Sequence, residues 1–227
     1  HAPFNQPPLA TPGGLAPLYE HHTNSLVFND PPRHTRVRRL IMGALTRRAI
    51  EAMEPGLVLL VDSLLNQIEA QGGGDLIEDF ASAIPVEIIG NLLDVPQADR
   101  EPLRAWSLAI LGALEPSLMP EQETLGNRSV TEFLAYLREL VAHRRQHPGD
   151  PEHDVLTRLI QGEQDGDRGV DALSEVELLH NCVFLLNAGH ETTTNLIGNA
   201  LISLQEWPAQ REQLKSELQA AASAEER

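Results

Sequence analysis

Cysteine occurs once in the 227 residues, and lysine once. The single thiol, Cys182, can neither staple a fold nor build a cysteine-rich metal site, and its scarcity suits a reducing, cytoplasmic compartment. No apolar run reaches the ~18 residues that a membrane-spanning helix needs, so no membrane partner is expected. Positive charge is scarce too. Lys and Arg together number 17 against 33 Asp and Glu, a net charge of −16, which argues against nucleic-acid binding because that requires a broad basic surface. Internal repeats and long low-complexity tracts are absent. Apolar residues are plentiful, at 41%, enough to build the core of one large domain or two small ones.

Those apolar residues recur mostly at helical spacing, which predicts a mainly α protein with little β structure. Residues 1–32, rich in proline, read as an irregular segment. Ile50, Met53, Leu57, Leu60, Leu64 and Ile68 define a helix over 47–71, which Gly72, Gly73 and Gly74 end. These glycines make no phosphate loop, because no Gly-Lys-Ser or Gly-Lys-Thr follows. A short strand is expected at 75–80, then helices at 82–93, 101–114, 129–147 and 151–164, with a connection at 115–127 and a polar turn at 161–170. The longest pattern starts at Ser174, three residues before Glu177 in capping-box spacing, and stops at Trp207-Pro208. Cys182 lies inside it among Leu178, Leu179, Val183 and Leu185 and reads as a small buried hydrophobe.

That same helix is interrupted by Asn187-Ala188-Gly189-His190-Glu191-Thr192-Thr193-Thr194-Asn195. Gly costs ~1 kcal/mol against Ala inside a helix, and Thr competes for backbone carbonyls. By the i, i+4 rule Ala188, Thr192 and Asn195 or Leu196 share a face, with Gly189 and Thr193 on the next. The Thr192 hydroxyl can bond back to the Ala188 carbonyl, leaving a notch beside an acid and an alcohol. The alternative is a kinked core helix with a partly exposed acid. His190-Glu191 begins like a zinc-protease motif, but Thr194 stands where the second histidine would be. His143 and His147, one turn apart around Arg144 and Arg145, read as a solvated helix end rather than a metal pair, and no metal ligand is assigned.

A second segment runs Asp30-Pro31-Pro32-Arg33-His34-Thr35-Arg36-Val37-Arg38-Arg39. Asp30 is a candidate N-cap. His34 and Arg38 then share a helix face and suit a carboxylate or phosphate. Six arginines lie between Arg33 and Arg48, so positive charge is local. The alternative is a solvated basic face.

Taken together, Asp30-Pro31-Pro32-x-His34-Thr35-Arg36-x-Arg38-Arg39 and, some 150 residues later, Ala188-Gly189-x-Glu191-Thr192-Thr193 resemble the bacterial class of cytochrome P450. The resemblance implies a partial cytochrome P450 fold in a single domain. In it residues 1–32 are the B–C region, 33–173 helices C to H, 174–207 an I-like helix and 208–227 a J-like helix. It implies haem b as cofactor, with His34 and Arg38 on a propionate and Ala188 and Gly189 lining the oxygen groove. Glu191 and Thr192 match the acid–alcohol pair that passes protons to dioxygen at the haem. It further implies hydroxylation or epoxidation of a small apolar organic substrate, with electrons from NAD(P)H through a ferredoxin-type partner. Arg36, Arg39 and Arg48 are a candidate dock for that partner.

The departure from the family pattern is as specific. The Phe-x-x-Gly-x-x-x-Cys-x-Gly loop is missing, and no Glu-x-x-Arg pair follows the I-like helix, where the family places it, so the iron's thiolate is expected outside this chain. The resemblance covers most of the chain but only about the middle half of a family member, which implies a fragment whose further partner is the remainder of the domain. The alternative is a stand-alone helical binding protein that kept the scaffold and lost the haem.

Overall fold

A computed structural model describes residues 16–114, 117–164 and 170–225 of the chain. Ten α-helices are found among the described residues: α1 (Pro17–Asn24), α2 (Arg33–Ala44), α3 (Arg47–Glu51), α4 (Glu54–Gln71), α5 (Ala83–Leu92), α6 (Glu101–Gly112), α7 (Pro120–Gln146), α8 (Val155–Gln161), α9 (Glu175–Glu206) and α10 (Pro208–Glu225). Between α8 and α9, β1 (Glu163–Gln164) pairs antiparallel with β2 (Val170–Asp171), Glu163 opposite Asp171. The protein is mainly α.

α9 organises the rest. Ser174 Oγ accepts from the Glu177 N–H, and Glu177 Oε2 accepts from the Ser174 N–H at 3.0 Å, so the box closes in both directions. The helix runs 32 residues to its C-cap Trp207, about 48 Å at 1.5 Å per residue. It packs on α5, α6 and α7, while α7 also packs on α6 and α1. The core at these crossings is aliphatic with one ring: Leu103, Ile110, Phe133, Leu137 and Leu186 are fully buried. Cys182 is also fully buried, and burial pushes its thiol up to about 12, so it serves as core.

Five expectations need correction. Residues 17–24 are helical, with Pro17 in the first turn where its missing N–H leaves nothing unpaired; residues 1–15 lie outside the described part. The helix expected over 47–71 breaks between α3 and α4, and Gly72 ends α4 in the left-handed region at φ 74°. Residues 76–81 form a π-helical segment rather than a strand, because Asp75 Oδ1 accepts from the N–H groups of Ile77 and Glu78 and so starts a helical turn. Much of the expected connection at 115–127 is helix: α7 starts at Pro120, where Gln122 Oε1 accepts from the Met119 N–H at 3.0 Å. Residues 115 and 116 lie outside the described part. The helix expected over 151–164 is only α8. Its N-cap is Asp154, which accepts from the Thr157 N–H at 3.0 Å, and its last predicted residues enter the β1–β2 pair.

Buried neutral histidines sit where α1 meets α9. His21 is 3% exposed, its ring 5.7 Å from that of His180, and Ser25 Oγ lies 3.0 Å from its Nδ1. Burial first, then the positive charge His180 and His22 would carry, lowers His21 from 6.5 to about 3. The unfolded chain takes up this proton below about pH 6.5 while the folded chain does not until about pH 3, so stability falls through that window as pH falls. Going from pH 7 to 5 is expected to remove about 2 kcal/mol. Urea unfolding at the two pH values measures it, and His21→Gln should flatten the slope.

Candidate functional site

α2 carries four arginines, and their fates differ. Arg33 Nε and an Arg36 terminal nitrogen both bond Glu177 Oε1 in the first turn of α9. Arg36 also reaches Asp171 and the Ala172 carbonyl, and Arg39 pairs with Asp171. Glu177 is 6% exposed. Burial alone would raise its pKa, but the Arg36 hydrogen bond, the Ser174 N–H and the Arg36 charge outweigh it and hold the carboxyl at about 2. Arg38 is exposed and makes no hydrogen bond or ion pair among the described residues. The His34 ring, half-buried one turn earlier, makes none there either; the His34 backbone N–H donates to the Asp30 carbonyl at 3.0 Å. Asp30 therefore contributes backbone rather than a side-chain cap, and Pro32 occupies the N-cap.

Arg36, Arg39 and Arg48, the expected dock, stay partly exposed, and each faces an acid of the same chain. Arg48 pairs with Glu152 as the other two pair with Glu177 and Asp171, so all three charges are met within the chain.

On α9 the interrupted stretch divides by face. Ala188, Glu191, Thr192, Asn195 and Leu196 are exposed, while Asn187, His190, Thr194 and Gly198 are buried against neighbouring helices. The Thr192 hydroxyl donates to the Ala188 carbonyl at 2.7 Å, as its spacing predicts. Gly189 is half-buried, and its part in a notch is corrected. A Cβ there would stand 2.6 Å from Ile89 Cδ1 of α5, so its small size serves the approach of α5 and not the uncovered face.

Sequence reasoning missed His190 except as a decoy. The ring is 2% exposed, and its Nδ1 lies 3.2 Å from Ser107 Oγ on α6. Burial, then the nearby Arg104 charge, lowers its pKa, so it stays neutral. Ser107 is 83 residues away, and nothing in the local pattern signals the pairing.

No hydrogen bond or ion pair joins His34 or Arg38 to the 188–192 turn. α2 is tied to α9 through Glu177, and Thr192 lies 15 residues further, about 22 Å along the axis. Near the far end α9 is bare: Leu196 is 68% exposed and Ile202 55%. α4 buries no residue fully, and Leu59 there is 71% exposed. No helix among the described residues is long and apolar enough to cross a membrane.

Comparison with known proteins places this geometry in a family. The family model described as Cytochrome P450 matches residues 108–227. Cytochrome P450 107B1 of Saccharopolyspora erythraea is 37% identical over 91% of this chain and 46% of its own length. The biotin biosynthesis cytochrome P450 of Bacillus subtilis is 34% identical over 82% and 45% respectively. Among solved structures, P450BioI in complex with an acyl carrier protein ligated to hexadec-9Z-enoic acid superposes with a TM-score of 0.78 at 32% identity, covering 87% of this chain and 49% of that one. The epothilone B-bound cytochrome P450epoK gives 0.76 at 33%, covering 88% and 49%. The chain thus spans about half the length of the curated relatives it matches.

Proposed function

The chain belongs to the cytochrome P450 family, and from that premise we propose that it contributes the distal half of a haem monooxygenase site. The observation that carries this reading is Arg38: alone among the arginines of α2 it has no partner among the described residues, on the face it shares with half-buried His34. An exposed fork of donors beside an imidazole suits a carboxylate such as a haem propionate. The bare face of α9, with small Ala188 and exposed Leu196, suits the flat apolar body of the same group. Haem b, when bound, supplies the iron at which dioxygen is activated.

The chain's own residues then act in three ways. Arg38 and His34 orient the group by one edge. Ala188 keeps the surface beside it low. The Thr192 hydroxyl, held at the Ala188 carbonyl, presents its oxygen to the uncovered side, and Glu191 supplies protons next to it. The associated partners are a small apolar organic substrate and a ferredoxin-type protein carrying electrons from NAD(P)H, in the cytoplasm. Whether the substrate is hydroxylated or epoxidised follows from pocket residues beyond those that contact this face.

Arg38→Ala tests the reading. Haem retention in the loaded protein should weaken about ten- to a hundredfold, the loss of a charge-assisted hydrogen bond worth ~1.5–3 kcal/mol. Stability without haem should stay within about 0.5 kcal/mol, because Arg38 is exposed and unpaired. Unchanged retention would remove Arg38 from the role.

A further inference from the structure

α1 is eight residues long and buries two side chains, Leu18 and His21. Leu18 lies against α7: its N–H donates to Asn127 Oδ1 at 3.0 Å, and a Cβ at Gly126 would stand 3.0 Å from its Cδ1. The seam with α9 is built on imidazoles instead. The His21 ring stands 5.7 Å from that of His180 and 5.8 Å from that of His22. His180 is 2% exposed, and its Nδ1 has no partner among the described residues. Its Nε2 lies 3.8 Å from Glu20 Oε1. The other charged groups facing the cluster are Arg33 from α2 and Arg138 from α7, while Glu177 of α9 is taken by Arg33 and Arg36. A proton on one of these rings therefore sits in a closed seam beside two more imidazoles and two guanidiniums, with one half-exposed carboxylate to offset it.

The C-terminal end of α1 is held differently. Arg33 donates to the Thr23 carbonyl at 3.2 Å and to Asn24 Oδ1 at 2.8 Å. Asn181 of α9 donates to the Asn24 carbonyl at 3.2 Å and accepts from the Leu26 N–H at 2.9 Å. Arg33 is in turn fixed by Glu177, whose carboxyl keeps its charge down to about pH 2. Acid therefore reaches the imidazole seam well before it reaches these ties.

We propose that α1 is an acid-released arm: protonation of the His21–His22–His180 cluster lifts it off α9 and α7 as a unit, about a pivot at its Asn24 end, while α2 stays clamped to α9. The released form binds protons on free imidazoles and the docked form does not, so release is favoured as pH falls. His21 alone, at about 3 when docked and 6.5 when free, raises the ratio of released to docked α1 about 25-fold between pH 7 and pH 5. An eight-residue helix taken off its support is marginal in water, so its amides lose their hydrogen bonds when it leaves.

Amide exchange in the full chain, corrected for the intrinsic rate at each pH, tests the arm. Amides from Glu20 to Asn24 should lose protection about 25-fold or more from pH 7 to pH 5, and low urea should leave their exchange unchanged, because a local opening exposes little surface. Amides in the middle of α7 should stay better protected at both pH values and respond to urea, because they exchange through global unfolding. α1 amides as protected and as urea-sensitive as those of α7, or indifferent to pH, would overturn the arm. His21→Gln should take about 25-fold out of the pH response of α1, and a response left intact in both His21→Gln and His180→Gln would overturn the cluster as its trigger. If His21→Gln loosens α1 already at pH 7, the pH and urea series on the unsubstituted chain still decides.

Discussion

Thr192→Ala in the haem-loaded protein is expected to divert reducing equivalents from product to peroxide, lowering product formed per reductant consumed about tenfold, and Glu191→Gln to slow product formation about a hundredfold, the low end of what a positioned acid contributes. Neither change threatens the fold. Thr192 and Glu191 are exposed, and the single bond Thr192 makes is to the carbonyl of its own helix. Alanine is the better helix former by ~0.5 kcal/mol, so the variant should unfold no earlier than the parent. A lost product ratio with unchanged stability would therefore report chemistry. A ratio unchanged in Thr192→Ala would remove the hydroxyl from its assigned part.

Phe133→Ala is expected to destabilise the chain by about 3–5 kcal/mol in denaturant titration, a large share of the 5–15 kcal/mol that domains possess. Phe133 is fully buried in α7 and stacks on Trp106 of α6, ring centroids 5.0 Å apart and planes at 25°. Trp106 cannot fill the space, because its Nε1–H donates to Glu132 Oε2 at 3.1 Å and holds the indole at the surface side. Deleting the ring leaves a cavity between the two helices. Phe133→Leu should cost less than half as much, since most of the volume remains. A loss below about 1 kcal/mol in Phe133→Ala would show that α6 and α7 repack freely.

What was legible in the sequence was local. Ser174 and Glu177 announce the start of α9 because both halves of the box lie within one turn, and Trp207-Pro208 announces its end because proline acts on its immediate neighbour. The Thr192–Ala188 bond is an i−4 contact and could be written down in advance. Asp75 was misread because Leu76, Ile77 and Phe80 resemble a short strand until the Asp side chain is seen to accept from Ile77 and Glu78. Long-range pairings stayed hidden. Arg36 meets Glu177 across 141 residues and His190 meets Ser107 across 83, and no periodicity encodes either. The basic run on α2 therefore looked like an open surface when three of its four guanidiniums were already committed.

The division of α9 into a packed side and a bare side separates two kinds of tolerance. His190, Thr194 and Gly198 follow one another at four-residue intervals on the side that meets α6 and the π-helical segment, while Ala188, Thr192 and Leu196 follow the same interval on the opposite flank. Substitutions on the first track should register in melting experiments and those on the second in product profiles, with little crossover. Directed evolution of selectivity could then saturate positions 195 and 196, which carry no assigned chemistry, without compensating mutations elsewhere, because the scaffold does not depend on them.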